Sequence, residues 1–206
     1  MKILFSDSRA AEQNLTLEQQ LLGGSEEVVL LYVNDPVVVV GRNQTIEAEV
    51  DWNYCRAHNI PVVRRLSGGG TVYHDGGNLN YAIICNSSEH PLDRDYTEPI
   101  VWTLQHLGVA ASTGSRGEIL VNDAKISGSA SMVRRDRVLF HGTLLFDADL
   151  EVLDAALHGD ITLAHKGVKS VHSKVANLKP LLHSIPDMAT FVNAVISALT
   201  KYYSQQ

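Results

Sequence analysis

Membrane-spanning runs, metal-binding cysteine pairs and an excess of positive charge are all missing from this chain of 206 residues. No stretch approaches the ~18–20 consecutive apolar residues that cross a bilayer, so a membrane is not an expected partner. The amino terminus, MKILFSDS, turns polar after five residues, too soon for the apolar region of a secretory leader. Only two cysteines occur, Cys55 and Cys85, far apart and without metal-ligand spacing. Reduced thiols in a cytoplasmic protein are therefore the expectation. Net charge is −6, which argues against nucleic acid as a partner, because phosphate binding draws on a surplus of Lys and Arg. Internal repeats, low-complexity tracts and a Pro/Gly/Ser-rich linker are also missing, and the length suits one domain with one sizeable core.

Apolar periodicity supplies the elements. A helix is expected over Ser8–Leu22, with Leu15, Leu21 and Leu22 at helical spacing, Ser8 as cap and Gly23-Gly24 as terminator. Val28–Val33 and Val37–Val40 read as strands buried on both faces, joined by the turn Asn34-Asp35-Pro36. A helix over Glu47–His58 and a strand over Pro61–Arg65 follow. Thr71–Tyr73 and Leu79–Cys85 read as a hairpin-like pair around Asp75-Gly76-Gly77-Asn78. Helices are expected at Thr97–Leu107, Leu150–His158 and Asp187–Tyr203, and strands near Glu118–Val121, Lys125–Ser127 and Val138–Phe146. Strands in groups with helices between them favour an α+β fold, a mixed β-sheet packed with helices.

The most informative stretch is RRLSGGGTVYHDGGN, Arg64 to Asn78. Three successive glycines strip side chains from a short path, so a ligand can meet backbone N–H groups directly. Arg64 and Arg65 stand just before, and a guanidinium suits phosphate or carboxylate. Ser67, His74, Asp75 and Asn78 add polar groups. The string is neither a P-loop, which needs G-x-x-x-x-G-K-(S/T), nor a dinucleotide G-x-G-x-x-G fingerprint. A plain glycine bulge flanked by solvated arginines is the alternative reading of the triplet taken alone.

The whole string resembles the signature of the lipoate–protein ligase A family, close to RR-x-SGGG-x-V-(F/Y)-HD-x-GN. Four further blocks resemble that family in order: VVVVGRNQ (Val37–Gln44), AKISGSA (Ala124–Ala130), HGTLLFDADL (His141–Leu150) and KGVKSVHSKVANL (Lys166–Leu178). The resemblance implies the mixed-sheet catalytic fold shared with biotin ligases and octanoyltransferases. It implies an enzyme that activates lipoate with ATP as lipoyl-AMP and transfers the lipoyl group to a lysine of a carrier domain. Expected carriers are 2-oxoacid dehydrogenase subunits or the glycine-cleavage carrier. Mg²⁺ is expected to accompany ATP, with Glu118 as a candidate metal ligand. By the same resemblance Arg65, Gly70, Thr71, Val72 and Tyr73 would meet nucleotide and acyl phosphate, and Lys125 would be catalytic. Ser67, Gly68, Gly69, His74, Asn78, Ala130, His141, Gly142 and Thr143 would complete the acyl-adenylate site. Residue chemistry agrees: adenylation brings a carboxylate to the α-phosphate, and a fixed ammonium and guanidinium offset that repulsion. The acyl tail needs an apolar slot, for which Val37–Val40 is the candidate.

Two departures stand out. Where the family often shows GRND, this chain reads Ser115-Arg116-Gly117-Glu118, which places the acidic residue one methylene further out. The small accessory domain that follows the catalytic domain in two-domain relatives is expected to be absent from residues 1–206. The resemblance associates that domain with adenylation, so a separate accessory chain is an expected partner of a transfer-only half. A cysteine-dependent acyltransferase is disfavoured, because no cysteine follows Cys85. A biotin ligase is disfavoured, because only Gly41-Arg42 resembles its phosphate loop. A non-catalytic lipoate-binding protein remains the alternative of a different class. The basic run Arg134, Arg135 and Arg137 reads as a solvated loop or as a docking patch for acidic carrier domains.

Overall fold

The structure is a computed structural model that describes residues 1–87, 95–163, 168–171 and 173–205. Five strands form the main sheet in the order β1-β2-β6-β11-β10. These are β1 (Lys2–Ser6), β2 (Val28–Tyr32), β6 (Asn78–Asn86), β11 (Arg137–Leu145) and β10 (Ser129–Arg134). Only the β1–β2 pair is parallel; the other pairs are antiparallel, so the sheet is mixed as expected. Three-stranded sheets flank it: β4 (Val62–Arg64), β3 (Val37–Val40) and β5 (Val72–His74) in one, β7 (Ser112–Thr113), β8 (Ile119–Val121) and β9 (Ala124–Ser127) in the other.

The helices are α1 (Ala11–Gly23), α2 (Ile46–Glu49), α3 (Trp52–Ala57), α4 (Glu98–His106), α5 (Leu150–Ala156) and α6 (Met188–Ser204). The two faces of β2 explain its unbroken apolar run. Val29, Leu31 and Val33 enter the main core with α4 and α6, while Val28, Leu30 and Tyr32 pack beneath α1. A strand covered on both sides has no face to leave polar.

Asp51, Asp149 and Asp187 cap α3, α5 and α6 by accepting hydrogen bonds from first-turn N–H groups. Ser8 does not cap α1, which begins after Ala10; its hydroxyl instead accepts from the Ala10 N–H at 3.2 Å. The single helix expected over Glu47–His58 is two, because Asp51 opens a new helix where Val50 adopts an extended conformation.

The hairpin expected around Asp75–Asn78 does not form. β5 pairs antiparallel with β3 in a flanking sheet, while β6 lies between β2 and β11. The DGGN link thus carries the chain between sheets. A side chain at Gly77 would strike the Asp147 carbonyl, and Asp75 holds the corner by accepting from Gly77 N and Asp149 N at 2.8 Å each. β1, β7 and β10 were not expected. The run Arg134–Arg137 is the turn of the β10–β11 hairpin, with Arg135 at φ 56°. Arg137 is buried and donates to Asn86 and to the Glu26 and Ser25 carbonyls, so only Arg134 and Arg135 are exposed. Among the described residues, no helix is long and apolar enough to cross a membrane.

Candidate active site

The flanking sheets bring the glycine-rich string and Lys125 to the lining of one cavity of about 310 Å³. That volume suits a small-molecule ligand. Gly69, Gly70 and Thr71 line it together with Gly128, Ser129 and Ala130, and a Cβ on Gly69 would lie 3.0 Å from the Ala130 methyl. At one end stand Lys125, Arg116, Glu118 and Lys169; at the other, Leu15, Tyr32 and Val39 meet His74, Asn80 and His141.

Both arginines of the string brace backbone. Arg64 Nη1 donates to the carbonyls of Gly41 (2.7 Å), Gln44 (2.9 Å) and Arg42 (3.2 Å), fixing the GRNQ turn. Arg65 is buried. Its Nε donates to Ser67 Oγ (3.0 Å), its Nη1 to the Val39 carbonyl (3.1 Å), and its Nη2 to the Gly68 and Gly70 carbonyls (2.6 Å each). A guanidinium has five N–H groups, so these bonds leave one, on Nη1. Burial depresses its pKa to about 10, against the opposing pull of Glu18 and Tyr32. Arg65 remains a cation and shapes the glycine loop more than it reaches beyond it.

Gln44 ties three segments together. Its Oε1 accepts from Gly41 N and Thr71 Oγ1, and its Nε2 donates to Ser170 Oγ at 3.0 Å. Ser170 Oγ accepts in turn from Thr71 N. Gly41 is required here, because a Cβ would strike the Gly69 carbonyl.

Lys125 is held by its backbone between β8 and residues 174–176: its N–H donates to the Lys174 carbonyl at 2.8 Å and its carbonyl accepts from Ala176 N at 3.1 Å. Burial lowers the pKa of its ammonium, the charge of Glu118 opposes that shift, and Arg116 adds to it. Bound anions at this end would restore the preference for the charged form. Glu118 pairs with the Arg116 guanidinium at 3.2 Å and accepts from Arg116 N at 2.8 Å. Burial works against its charge, but these hydrogen bonds prevail and lower its pKa.

A model of the lipoyl protein ligase A/B catalytic domain matches residues 10–200. The chain belongs to this family. It is 40% identical over 193 residues to lipoate–protein ligase 1 of Staphylococcus aureus, an alignment covering 90% of this chain and 58% of that one. The chain therefore spans a little over half the length of that curated relative. It superposes on P. falciparum LipL1 in complex with lipoate with a TM-score of 0.82 at 27% identity, covering 99% of this chain and 62% of the other. A lipoate–protein ligase A bound with ATP gives 0.81 at 25% identity, with coverages of 97% and 84%.

Within this ligase-family domain the residues singled out from sequence fall into two groups. Arg65, Gly69, Gly70, Thr71, Val72 and His74 line the cavity, as do Lys125, Ala130, His141, Gly142 and Thr143. Ser67, Gly68, Tyr73 and Asn78 lie behind the wall. Ser67 and Asn78 are fully buried, and Asn78 donates to Asn80. Of the candidate slot Val37–Val40, Val39 alone reaches the cavity. Cys55 and Cys85 are buried in α3 and β6, away from it, which leaves no cavity thiol for thioester chemistry among the described residues. Lys166, Gly167 and His172 of the last resembling block lie outside the described residues.

Sequence reading missed Glu18. It is 2% exposed on α1 and accepts from Tyr32 Oη (2.9 Å) and from His141 Nδ1 (2.9 Å). His141 Nε2 lies 2.6 Å from Ser67 Oγ. The signal was present: Glu18 falls on the stripe of Leu15 and Leu22, where a carboxylate is out of place unless partnered. Ser67, His141 and Glu18 have the connectivity of a hydrolytic triad. Ser67 is behind the wall and occupied by Arg65, so the set acts as a buried relay that orients Arg65.

Proposed function

We propose that this domain activates lipoate with ATP, forming lipoyl-AMP, and transfers the lipoyl group to a lysine of a lipoyl-carrier domain. The observation that carries this reading is one cavity with a cationic end at Lys125, an apolar end at Leu15 and Val39, and side-chain-free backbone at Gly69 and Gly70 between them. An amphipathic acid fits with its tail among the apolar residues and its carboxylate beside the glycines, where the nucleotide phosphates would also lie.

In the first step a carboxylate oxygen bonds to the α-phosphorus while the bond to the bridging oxygen breaks, and pyrophosphate leaves. Two unit charges at 4 Å repel by about 4 kcal/mol in a medium of effective dielectric 20. The Lys125 ammonium offsets that term where it is largest. In the second step the carrier amine attacks the acyl carbon, the bond to AMP breaks, and the nitrogen loses a proton. The site's contribution there is positioning.

No group of three or more His, Cys, Asp or Glu side chains that could hold a metal occurs among the described residues. Among the described residues Glu118 is the one acid that lines the cavity, and it is engaged by Arg116. These residues do not fit a resident metal, and Mg²⁺ would enter as part of the ATP substrate. Transfer from preformed lipoyl-AMP, with adenylation completed by a separate accessory chain, is the second reading.

Intact mass of an apo lipoyl domain, incubated with the protein and either lipoate plus Mg-ATP or synthetic lipoyl-AMP, tests both. Modification in both reactions is the expected result. Modification from lipoyl-AMP alone would select the transfer-only reading. With folded protein and carrier, no modification in either would overturn the ligase reading.

A further inference from the structure

A second cavity, of about 300 Å³, adjoins the first, and Arg116, Ser129 and Ala130 line both. How the two are joined follows from the β10–β11 register. Ser129, Ser131 and Val133 fall on one face of β10, paired with Gly142, Phe140 and Val138 of β11. The Ser129–Gly142 pair lines the first cavity; the next two pairs, Ser131–Phe140 and Val133–Val138, line the second. The two cavities are therefore consecutive stretches along one sheet face. β10 is an edge strand, and Ser131 and Val133 are exposed on it, so the second cavity opens to solvent along that edge.

Its lining has an apolar body and one acid. Tyr96 stacks on Phe140 with ring centroids 5.6 Å apart, and Val133 and Val138 extend this apolar wall. Among the described residues that line it, Asp95 is the one carboxylate; it is exposed, and its Oδ1 accepts from Thr97 N at 2.8 Å. Arg116 is the one cation there, and its charge is already matched by Glu118 at 3.2 Å. An aliphatic stem with a positive tip suits such a lining, and lysine is that group. The lengths agree. Five single bonds of about 1.5 Å, in zigzag, carry a lysine nitrogen roughly 6 Å from its Cα. At about 3.4 Å per residue, Ser131 and Ser129 stand about 7 Å apart along β10. A lysine whose Cα lies over Ser131 thus brings its nitrogen to Ser129, where the first cavity begins. Apolar walls also favour the uncharged amine, and a lysine must shed a proton before its lone pair can attack.

We infer that the second cavity receives the acceptor lysine of the carrier domain, which enters over the β10 edge, lays its stem along Val133, Val138 and Phe140, and presents its nitrogen at Ser129 and Ala130. This rests on the ligase reading above and adds to it the route of the acceptor. Acyl-adenylate and lysine then occupy separate cavities that meet at one boundary, so the second substrate can enter while the first stays bound.

Two measurements test this. Val133→Trp fills the second cavity from its exposed edge without altering a residue that lines the first. Transfer from synthetic lipoyl-AMP to an apo lipoyl domain should fall about tenfold or more, because the amine is kept from its attacking position. Binding of a non-hydrolysable acyl-sulfamoyl analogue of lipoyl-AMP, read by calorimetry, should stay as in the wild type. The second measurement uses the wild type alone. Carbon-13 methyl shifts of Val138, which is 1% exposed, should move on adding the lipoyl domain and stay fixed on adding the same domain with its target lysine replaced by alanine. Unchanged transfer in Val133→Trp would overturn the inference, and so would lost analogue binding, which would give the cavity to the nucleotide. Val138 shifts that ignore the lysine would overturn it even if Val133→Trp fails to fold. Lysine-dependent Val138 shifts in a protein that transfers nothing from lipoyl-AMP would sustain the lysine site while overturning the ligase reading.

Discussion

Replacing Glu18 by alanine tests the buried relay most directly. Its carboxylate receives the Tyr32 hydroxyl at 2.9 Å and His141 Nδ1 at 2.9 Å, inside a region where Glu18 is 2% exposed. In Glu18→Ala both donors lose their acceptor and stay buried. Each such group costs about 1–3 kcal/mol, so the loss is roughly 2–6 kcal/mol. The isosteric Glu18→Gln should lose about 1–3 kcal/mol: its amide oxygen still accepts one donor, and His141 can take the other proton arrangement. Urea denaturation at neutral pH measures both, from midpoint shifts at unchanged slope. The His141–Ser67 contact links this relay to Arg65 Nε, so adenylation should fall more in Glu18→Ala than in Glu18→Gln, read by pyrophosphate exchange in the folded variants. A cost below about 1 kcal/mol for Glu18→Ala would refute the reasoning, because two buried donors cannot go unpaired so cheaply.

Gly142→Ala should destabilise the domain by about 1–3 kcal/mol or more, since the added methyl would strike the Tyr81 hydroxyl and lie 2.7 Å from the Gly128 carbonyl, both in packed surroundings; thermal or urea midpoints would show it. Lys125→Met should reduce adenylation by about 100-fold or more without lowering stability, because it removes a charge that burial disfavours and that the transition state uses; pyrophosphate exchange beside a melting curve separates the two effects. Stability should fall as pH drops from about 6.5 toward 3. Within that window the unfolded chain protonates His74 while the folded chain, with a pKa of about 3, does not, so the contribution is complete above 6.5 and lost on the acid side. At 1.36 kcal/mol per unit the full effect is on the order of 5 kcal/mol. His74→Gln should flatten this slope in urea midpoints taken between pH 7 and 4, and an unchanged slope would assign it to other groups.

Much of the fold was legible because burial on both faces leaves a local mark. The apolar runs Val28–Val33 and Val37–Val40 announced β2 and β3, and the stripe Phe191, Val195, Leu199 and Tyr202 announced α6. Edge strands leave a weaker mark. β10 has no buried residue and ends in Arg134, and the two-residue β7 is too short for any period. The hairpin error at Asp75–Asn78 has the same origin: a glycine-rich turn shows that the chain bends and not which sheet each arm joins. That outcome rests on the contacts of Gly77 and Asp75 with residues 147–149, some 70 positions away.

By itself, then, the sequence determined the class of fold, and it marked the glycine string and the lysine that share one cavity, because each is written in contiguous residues whose chemistry is local. The tertiary structure decided the work of each side chain. Arg64 and Arg65 look like anion ligands in sequence, yet they brace carbonyls, because the glycine loop exposes acceptors that only a folded neighbour can satisfy. Glu18 looks like an ordinary helix charge until His141, 123 residues later, is laid across from it, and His74 meets a buried partner only because Asn34, itself bonded to Asn14, is brought into line behind it. Periodicity along the chain cannot report such pairings, since hydrogen bonds between distant residues depend on which strands become neighbours.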